Sequence, residues 1–213
     1  MKYQLIIFDL DGTLLDSMAH IVNCFQAAAQ EMHLPVPPAD VIRQHIGLGA
    51  LKLLETIFHE DRSIDYSALL DCYLRLYFTK DMNATYFYPG VVETLRQLQT
   101  KGHQLAIATG KSRRGISEVL AIPELQGLFT ASRSAEETAS KPSPDMVFEL
   151  LAETQLPAEQ AVLIGDTEFD LAMANNAHID VIAVTYGAHS RAQLLALAPL
   201  ACIDRIDEVL RLV

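Results

Sequence analysis

Asp9 and Asp11 stand two residues apart in the stretch LIIFDLDGTLLDS, residues 5–17, where an apolar run breaks at Gly12. Residues two apart in an extended chain project to the same side, so the two carboxylates are expected to converge. Carboxylates brought together raise each other's pKa or need a cation, which indicates either a shared proton or a bound metal ion. The alternative is an acidic strand end that only caps the next turn.

Two more apolar runs end at a residue that could bind a ligand. QLAIA, residues 104–108, leads into Thr109, and AVLIG, residues 161–165, leads into Asp166. In open α/β sheets, ligands bind just beyond the carboxyl ends of the strands, so these residues are expected at one edge. Three acids without a nearby histidine favour Mg²⁺ over zinc, because Mg²⁺ prefers oxygen ligands.

The elements that must position these residues form a βα pattern after residue 90. Near-continuous apolar runs predict parallel strands at residues 4–8, 104–108, 161–164 and 179–184. Amphipathic stretches predict helices between them, one over residues 91–102 and one with Ser143 as N-cap and Pro144 in its first turn. We expect an α/β fold with a Rossmann-like parallel sheet.

Residues 16–87, which we call the helical insert, carry only helical patterns. These patterns cover residues 17–34, 38–47, 50–60 and 67–82, with no strand pattern between them. An all-helical block after the first strand of a parallel sheet indicates a lid over the site. The expected division is therefore a core of residues 1–15 and 88–213 with a cap of residues 16–87.

Composition narrows the classes of partner and compartment. The chain has 213 residues, half of them hydrophobic, and a formal net charge of −11, which opposes binding to nucleic acid or anionic lipid. Neither a membrane span nor a signal peptide is recognisable, so a cytoplasmic protein is expected. Cys24, Cys72 and Cys202 are too far apart for a zinc motif and indicate no disulfide framework. No feature indicates an oligomeric state.

Four stretches carry a family resemblance. DLDGTLLDS, ATGKS, SKPSPDMVF and GDTEFDLAMANNA resemble, in type, order and spacing, the motifs of haloacid dehalogenase (HAD) superfamily phosphatases that have a helical cap after the first strand. The match extends from end to end of the chain. HIGLGALKLLETIF, residues 45–58, is similar to the corresponding part of phosphoglycolate phosphatases.

The resemblance implies catalytic roles for particular residues. Asp9 would be the nucleophile that forms an aspartyl phosphate, and Asp11 would be the general acid and base. Thr109 and the Gly110 backbone N–H would hold phosphate oxygens, and Lys141 would neutralise charge on Asp9 and the phosphoryl group.

The resemblance also implies a Mg²⁺ site. Its ligands would be the Asp9 carboxylate, the Asp11 main-chain carbonyl and Asp166. Asp170 would either orient a metal-bound water or Lys141, or lie on a helix surface without a role.

The function expected from these features is Mg²⁺-dependent hydrolysis of a small phosphorylated metabolite, with phosphoglycolate as a candidate. A sugar-phosphate mutase of the same superfamily and a non-catalytic binding protein are the alternatives. Arg43, His45 and Lys52 of the helical insert are candidates for contacting the substrate, although charged helix residues often face water.

Overall fold

The computed structural model describes residues 2–59, 63–79 and 86–213. In this part of the chain, a parallel sheet has the strand order β3–β2–β1–β4–β5–β6. The strands are β1 (Leu5–Phe8), β2 (Gln104–Thr109), β3 (Phe129–Ser134), β4 (Ala161–Gly165), β5 (Asp180–Val184) and β6 (Ala201–Ile203). The expected α/β fold with a Rossmann-like sheet is confirmed.

Helices surround the sheet and fill the helical insert. They are α1 (Met18–Glu31), α2 (Ala39–Arg43), α3 (Ala50–Ile57), α4 (Tyr66–Tyr77), α5 (Val91–Thr100), α6 (Arg113–Leu120), α7 (Asp145–Thr154), α8 (Glu168–Asn176) and α9 (Arg191–Leu195). Short 3-10 helices cover Pro123–Leu125, Ala158–Gln160 and Ile206–Arg211. None of the described helices combines the length and the apolar character needed to cross a membrane.

The first strand shows why the sheet is buried on both faces. Its four side chains are all fully buried, and they alternate between two apolar clusters. Leu5 and Ile7 pack in one cluster, while Ile6 and Phe8 pack in the other. A strand covered by helices on both sides needs apolar residues at every position, which accounts for the continuous run LIIF.

Four strands were predicted from apolar runs, and the structure places a strand at each of them. The edge strands β3 and β6 were not predicted. The sequence of β3, FTASRS, is mostly polar and partly exposed, and β6 has only three residues. The N-cap prediction for α7 was wrong by one residue, because Pro144 occupies the N-cap position and the helix begins at Asp145.

The helical insert packs around an apolar cluster of its own. The side chains that α1 and α4 bury recur at helical spacing and include Ile21, Phe25, Leu69 and Tyr73. No strand lies between α1 and α4 in the described residues of the insert. Residues 60 and 80–82 of the predicted helical segments lie outside the described part of the chain.

The strand order fixes where a ligand can bind. β1 lies between β2 and β4. The strands β2 and β3 therefore lie on one side of β1, and β4, β5 and β6 lie on the other. The carboxyl ends of β1 and β4 therefore flank a topological switch point, where a crevice opens in sheets of this type. Asp9 and Asp166 directly follow these two strands.

Candidate active site

Asp9 is a buried carboxylate that follows β1 in the pocket at the strand ends. Its backbone N–H extends the β1 ladder by donating to the Ile164 carbonyl at 3.0 Å, which holds the residue at the sheet edge. The Lys141 Nζ lies 2.9 Å from Asp9 Oδ1 in an ion pair, and Asp9 is 1 % exposed. Within the described residues, the Asp9 carboxylate has no partner besides this ion pair.

Burial is the main cause that raises the pKa of the Asp9 carboxyl, and the negative charges of Asp170 and Asp11 add to it. Lys141 acts in the opposite direction. Burial alone would lower the pKa of Lys141, but Asp170 and Asp9 outweigh burial and raise it. The site therefore places a buried ammonium group beside a carboxylate that lacks other partners, and a further cation would stabilise the ionised form of that carboxylate.

Asp166 is held by two donors at the other side of the switch point. The Thr13 hydroxyl donates to Asp166 Oδ1 and the Ala188 N–H donates to Asp166 Oδ2, both at 2.8 Å. Burial raises the pKa of the Asp166 carboxyl, and Asp170 and Asp9 raise it further. Gly12 makes this arrangement possible, because its φ is +87° and a Cβ there would lie 2.2 Å from Asp166 Oδ2.

Asp170 serves both the helix and the site. Its Oδ2 accepts hydrogen bonds from the Thr167 N–H and hydroxyl at the N-terminus of α8, at 3.1 and 2.6 Å. Its Oδ1 accepts from Lys141 Nζ at 2.6 Å. Asp170 is fully buried, so it is not a solvent-facing helix residue. Its position is consistent with a role in orienting the Lys141 side chain.

Asp11 lies in a separate group of polar side chains. Its Oδ1 accepts a hydrogen bond from the Ser17 hydroxyl and lies 2.8 Å from Lys111 Nζ. Lys111 also donates to the Tyr77 hydroxyl on α4. Burial alone would lower the pKa of Lys111, but Asp11 and Tyr77 outweigh burial and raise it.

Thr109 and Gly110 lie at the end of β2, beside Asp9 and Asp11 in the same pocket. A Cβ on Gly110 would lie 2.4 Å from the Leu48 carbonyl oxygen, so glycine allows the helical insert to approach this strand end closely. The Gly49 N–H donates to Ser140 Oγ at 3.0 Å and links the insert to the loop that carries Lys141. The insert thus closes over the strand ends at two points.

The pocket between these groups has two chemically different walls. The strand ends contribute polar groups, including Asp9, Asp11 and Thr109. The helical insert contributes apolar and aromatic side chains, among them Ile21, Phe25, Leu53, Tyr73, Tyr77 and Phe78. A small molecule in this pocket would place its charged end on the sheet edge and its other end against the insert.

The residues at the sheet edge fit a hard divalent cation. Carboxylate oxygens of Asp9, Asp166 and Asp170 lie within 4.8 Å of one another, and all three residues are buried. In the described part of the chain, the Asp9 carboxylate has Lys141 as its one partner, which leaves lone pairs for a metal ion. An all-oxygen donor set of this kind suits Mg²⁺ better than zinc.

The charged candidates of the helical insert are not brought to Asp9. Arg43 and Lys52 are exposed, and Lys52 Nζ lies 3.6 Å from Glu55 Oε2. Lys52 lines a neighbouring cleft with Gly110 and Ser140, whereas His45 contacts the Val41 carbonyl oxygen at 2.8 Å. The pocket that contains Asp9 is lined by none of these three side chains. The presence of a charged residue on a predicted helix therefore did not indicate which side chains of the insert face the pocket.

Lys111 and the aromatic residues of α4 were not predicted as parts of the site. Lys111 lies inside the ATGKS stretch, directly after the predicted phosphate ligands, so its position was a usable signal. Tyr73 and Tyr77 recur at helical spacing and resemble ordinary core residues in the sequence. Their contact with the strand ends depends on how α4 packs, which local sequence does not specify.

Comparison with known proteins gives a consistent family. Residues 6–184 match the family model described as haloacid dehalogenase-like hydrolase. A curated relative from Dickeya dadantii strain 3937, named "Probable phosphatase IndB", is 35 % identical over 96 % of this chain and 91 % of its own length. A phosphoglycolate phosphatase from Haemophilus influenzae strain 86-028NP is 29 % identical over 87 % of each chain.

A solved structure is also similar. A haloacid dehalogenase-like family hydrolase from Streptococcus pneumoniae superposes with a TM-score of 0.84 at 28 % identity, over 99 % of this chain and 98 % of that chain. The similarity thus covers both the sheet and the helical insert.

Proposed function

Because the chain belongs to the haloacid dehalogenase-like hydrolase family, we propose that it hydrolyses a small phosphorylated metabolite through an aspartyl-phosphate intermediate on Asp9, with Mg²⁺ as cofactor. The enzyme class expected from the sequence, a phosphatase, is confirmed by its relatives. One observation carries the mechanistic proposal. Asp9 is buried and pairs with Lys141 through Oδ1, and in the described residues its oxygens have no other partner, so they remain available for attack and for metal binding.

In the first step, Asp9 attacks phosphorus and the bond to the leaving alcohol breaks. Lys141 lowers the cost of bringing the phosphoryl group to a carboxylate, and Asp170 keeps the Lys141 ammonium group directed at Asp9. Thr109 and the Gly110 N–H hold the phosphate oxygens at the end of β2. Asp9 and Asp166, with the Asp11 main-chain carbonyl, would hold Mg²⁺, which would offset negative charge on the phosphate.

In both steps, Asp11 moves the proton. It protonates the leaving alcohol when the phosphoryl group transfers to Asp9, and it takes a proton from the water that hydrolyses the aspartyl phosphate. The Ser17 hydroxyl and Lys111 hold the Asp11 carboxyl at the pocket. Asp11 lines the same pocket as Asp9, as this division of roles requires.

We assign residues 16–87 the role of a cap on a core of residues 1–15 and 88–213. The cap would exclude water during attack by Asp9 and would contact the leaving group. Its contacts at Gly110 and Ser140 support this role, because they join the helical insert to the strand end and to the Lys141 loop. Because the Haemophilus influenzae relative is named a phosphoglycolate phosphatase, phosphoglycolate belongs among the substrates to test.

The proposed function is tested by incubating the purified chain with Mg²⁺ and a panel of phosphomonoesters that includes phosphoglycolate, an aryl phosphate and glucose 1-phosphate. Release of inorganic phosphate supports the proposal. Conversion of glucose 1-phosphate to an isomeric sugar phosphate without phosphate release would instead support a mutase. Binding without any turnover would support a non-catalytic protein.

Replacing Asp11 by Asn is expected to reduce kcat by about 10²–10⁴-fold, the usual contribution of general acid–base catalysis. Asn fills nearly the same volume but cannot donate and accept the proton. The reduction should be smaller for an aryl phosphate than for an alkyl phosphate, because an aryl leaving group needs less protonation. Steady-state kinetics with both substrates measure this difference, and an unchanged kcat would remove Asp11 from the mechanism.

A further inference from the structure

The part of the pocket that faces the leaving group is aromatic. Phe25, Tyr73, Tyr77 and Phe78, which we call the aromatic wall, all line the pocket that contains Asp9. Each ring contacts the next one in a continuous row, with centroid distances of 6.1 Å for Phe25–Tyr73, 5.8 Å for Tyr73–Tyr77 and 5.2 Å for Tyr77–Phe78. A surface of this kind favours apolar or ring-containing groups.

The pocket offers no spare positive charge for an anionic leaving group. Among the described residues that line it, Lys111 is the one cationic side chain, and its side chain is only 5 % exposed. Its charge is already matched by Asp11, and its ammonium group also donates to the Tyr77 hydroxyl. A carboxylate placed against the aromatic wall would lose its hydration without gaining a free cation.

The formal charge at the sheet edge also disfavours an anionic leaving group. The polar groups there comprise four carboxylates and two ammonium groups, namely Asp9, Asp11, Asp166, Asp170, Lys111 and Lys141. A divalent cation would balance this excess, but the substrate phosphate then brings further negative charge. A second anionic group on the same substrate would therefore be repelled.

The Tyr73 hydroxyl is a polar group on the aromatic wall. The residue is 8 % exposed and lies on the pocket. In the described part of the chain its hydroxyl makes no hydrogen bond, unlike the Tyr77 hydroxyl, which accepts from Lys111. This hydroxyl is therefore available for a hydrogen bond with a ligand in the pocket.

We propose that the aromatic wall selects an uncharged leaving group with an apolar face, and that the Tyr73 hydroxyl forms a hydrogen bond with a polar atom of that group. This inference rests on the proposed phosphatase function and specifies its substrate class. It makes phosphoglycolate, whose leaving alcohol carries a carboxylate, a poor substrate of this chain.

The first experiment compares leaving groups whose intrinsic reactivity is similar. Benzyl phosphate and phosphoglycolate both release a primary alcohol, but only the second carries a carboxylate. We expect kcat/KM for benzyl phosphate to be about tenfold higher or more, because its ring is buried against the aromatic wall. Equal or faster hydrolysis of phosphoglycolate would overturn the inference while leaving the phosphatase function intact.

The second experiment tests Tyr73 directly. The variant Tyr73→Phe retains the ring and removes the hydroxyl. We expect it to lower kcat/KM by roughly threefold to tenfold for the best of the three isomeric pyridylmethyl phosphates, which carry a hydrogen-bond acceptor in the ring. The loss for benzyl phosphate, which has no such acceptor, should be clearly smaller.

Tyr66→Phe is the matched control, because Tyr66 lies on the same helix and its hydroxyl donates to the Phe58 carbonyl at 2.9 Å, away from the pocket. This control should leave kcat/KM unchanged for benzyl phosphate and for the three pyridylmethyl phosphates. Circular dichroism and thermal unfolding of both variants verify that the fold is retained. An equal loss for benzyl and pyridylmethyl phosphates in Tyr73→Phe, or no loss for either, would refute the role of the hydroxyl. No hydrolysis of any substrate by the wild-type chain would refute the proposed function itself.

Discussion

The variant Asp9→Asn is expected to lose phosphatase activity by about 10⁴-fold or more, the scale of loss seen when an enzyme nucleophile is removed. The amide cannot attack phosphorus, and it also removes the negative charge that pairs with Lys141 Nζ at 2.9 Å. The side-chain volume is nearly unchanged, so the buried environment should tolerate the substitution. Phosphate release with saturating substrate and Mg²⁺ measures the loss.

Asp16→Asn is a suitable control for this variant. Asp16 belongs to the same stretch of sequence but is exposed. The activity of the Asp16→Asn variant should therefore match that of the wild-type chain. Asp9→Ala separates chemistry from slow reversion, because an asparagine can deamidate to aspartate whereas an alanine cannot. Substantial turnover by Asp9→Ala in a folded sample would exclude Asp9 as the nucleophile.

Removal of divalent cations is expected to abolish activity, and added Mg²⁺ should restore it. The carboxylates of Asp9, Asp166 and Asp170 lie within 4.8 Å of one another in a buried site. Lys141 pairs with Asp9 and Asp170, and a divalent cation would offset the negative charge that remains. Ca²⁺ should inhibit, because it accepts more ligands at longer distances and lets Asp9 coordinate through both oxygens, out of line for attack.

Metal binding can also be measured without turnover. Mg²⁺ should raise the Tm of the wild-type chain, since a ligand that binds only the folded state stabilises it. Asp166→Asn should need a higher Mg²⁺ concentration both for this stabilisation and for activity. Full activity in excess chelator, or the same Mg²⁺ dependence in Asp166→Asn, would contradict the metal site.

Much of the sheet and of its edge followed from local sequence. The runs before Asp9, Thr109 and Asp166 are apolar at nearly every position, which is typical of strands buried on both faces, and the polar residue after each run marks the strand end. The edge strand β3 was missed because an edge has fewer buried positions, and its sequence FTASRS lacks a continuous apolar run. Burial, and not strand propensity, made the other strands recognisable.

The pocket wall could not be derived in the same way. Lys111 contacts Asp11 across 100 residues of sequence, and Tyr77 contacts Lys111 across 34. Such contacts depend on how the helical insert packs on the sheet, and no local pattern records them. Charge was therefore a poor guide within the insert, where Arg43 and Lys52 face solvent while Tyr73 faces the site.

The central claim, covalent catalysis by Asp9, is tested most directly by trapping the intermediate. Wild-type protein is mixed with Mg²⁺ and a rapidly hydrolysed substrate, quenched in acid within one turnover, and digested for mass spectrometry. We predict one phosphoryl group on the peptide that contains Asp9, sensitive to hydroxylamine as an acyl phosphate is, and absent in Asp9→Asn. Release of product with no phosphorylated peptide under single-turnover conditions, or with the phosphoryl group on another residue, would contradict the account.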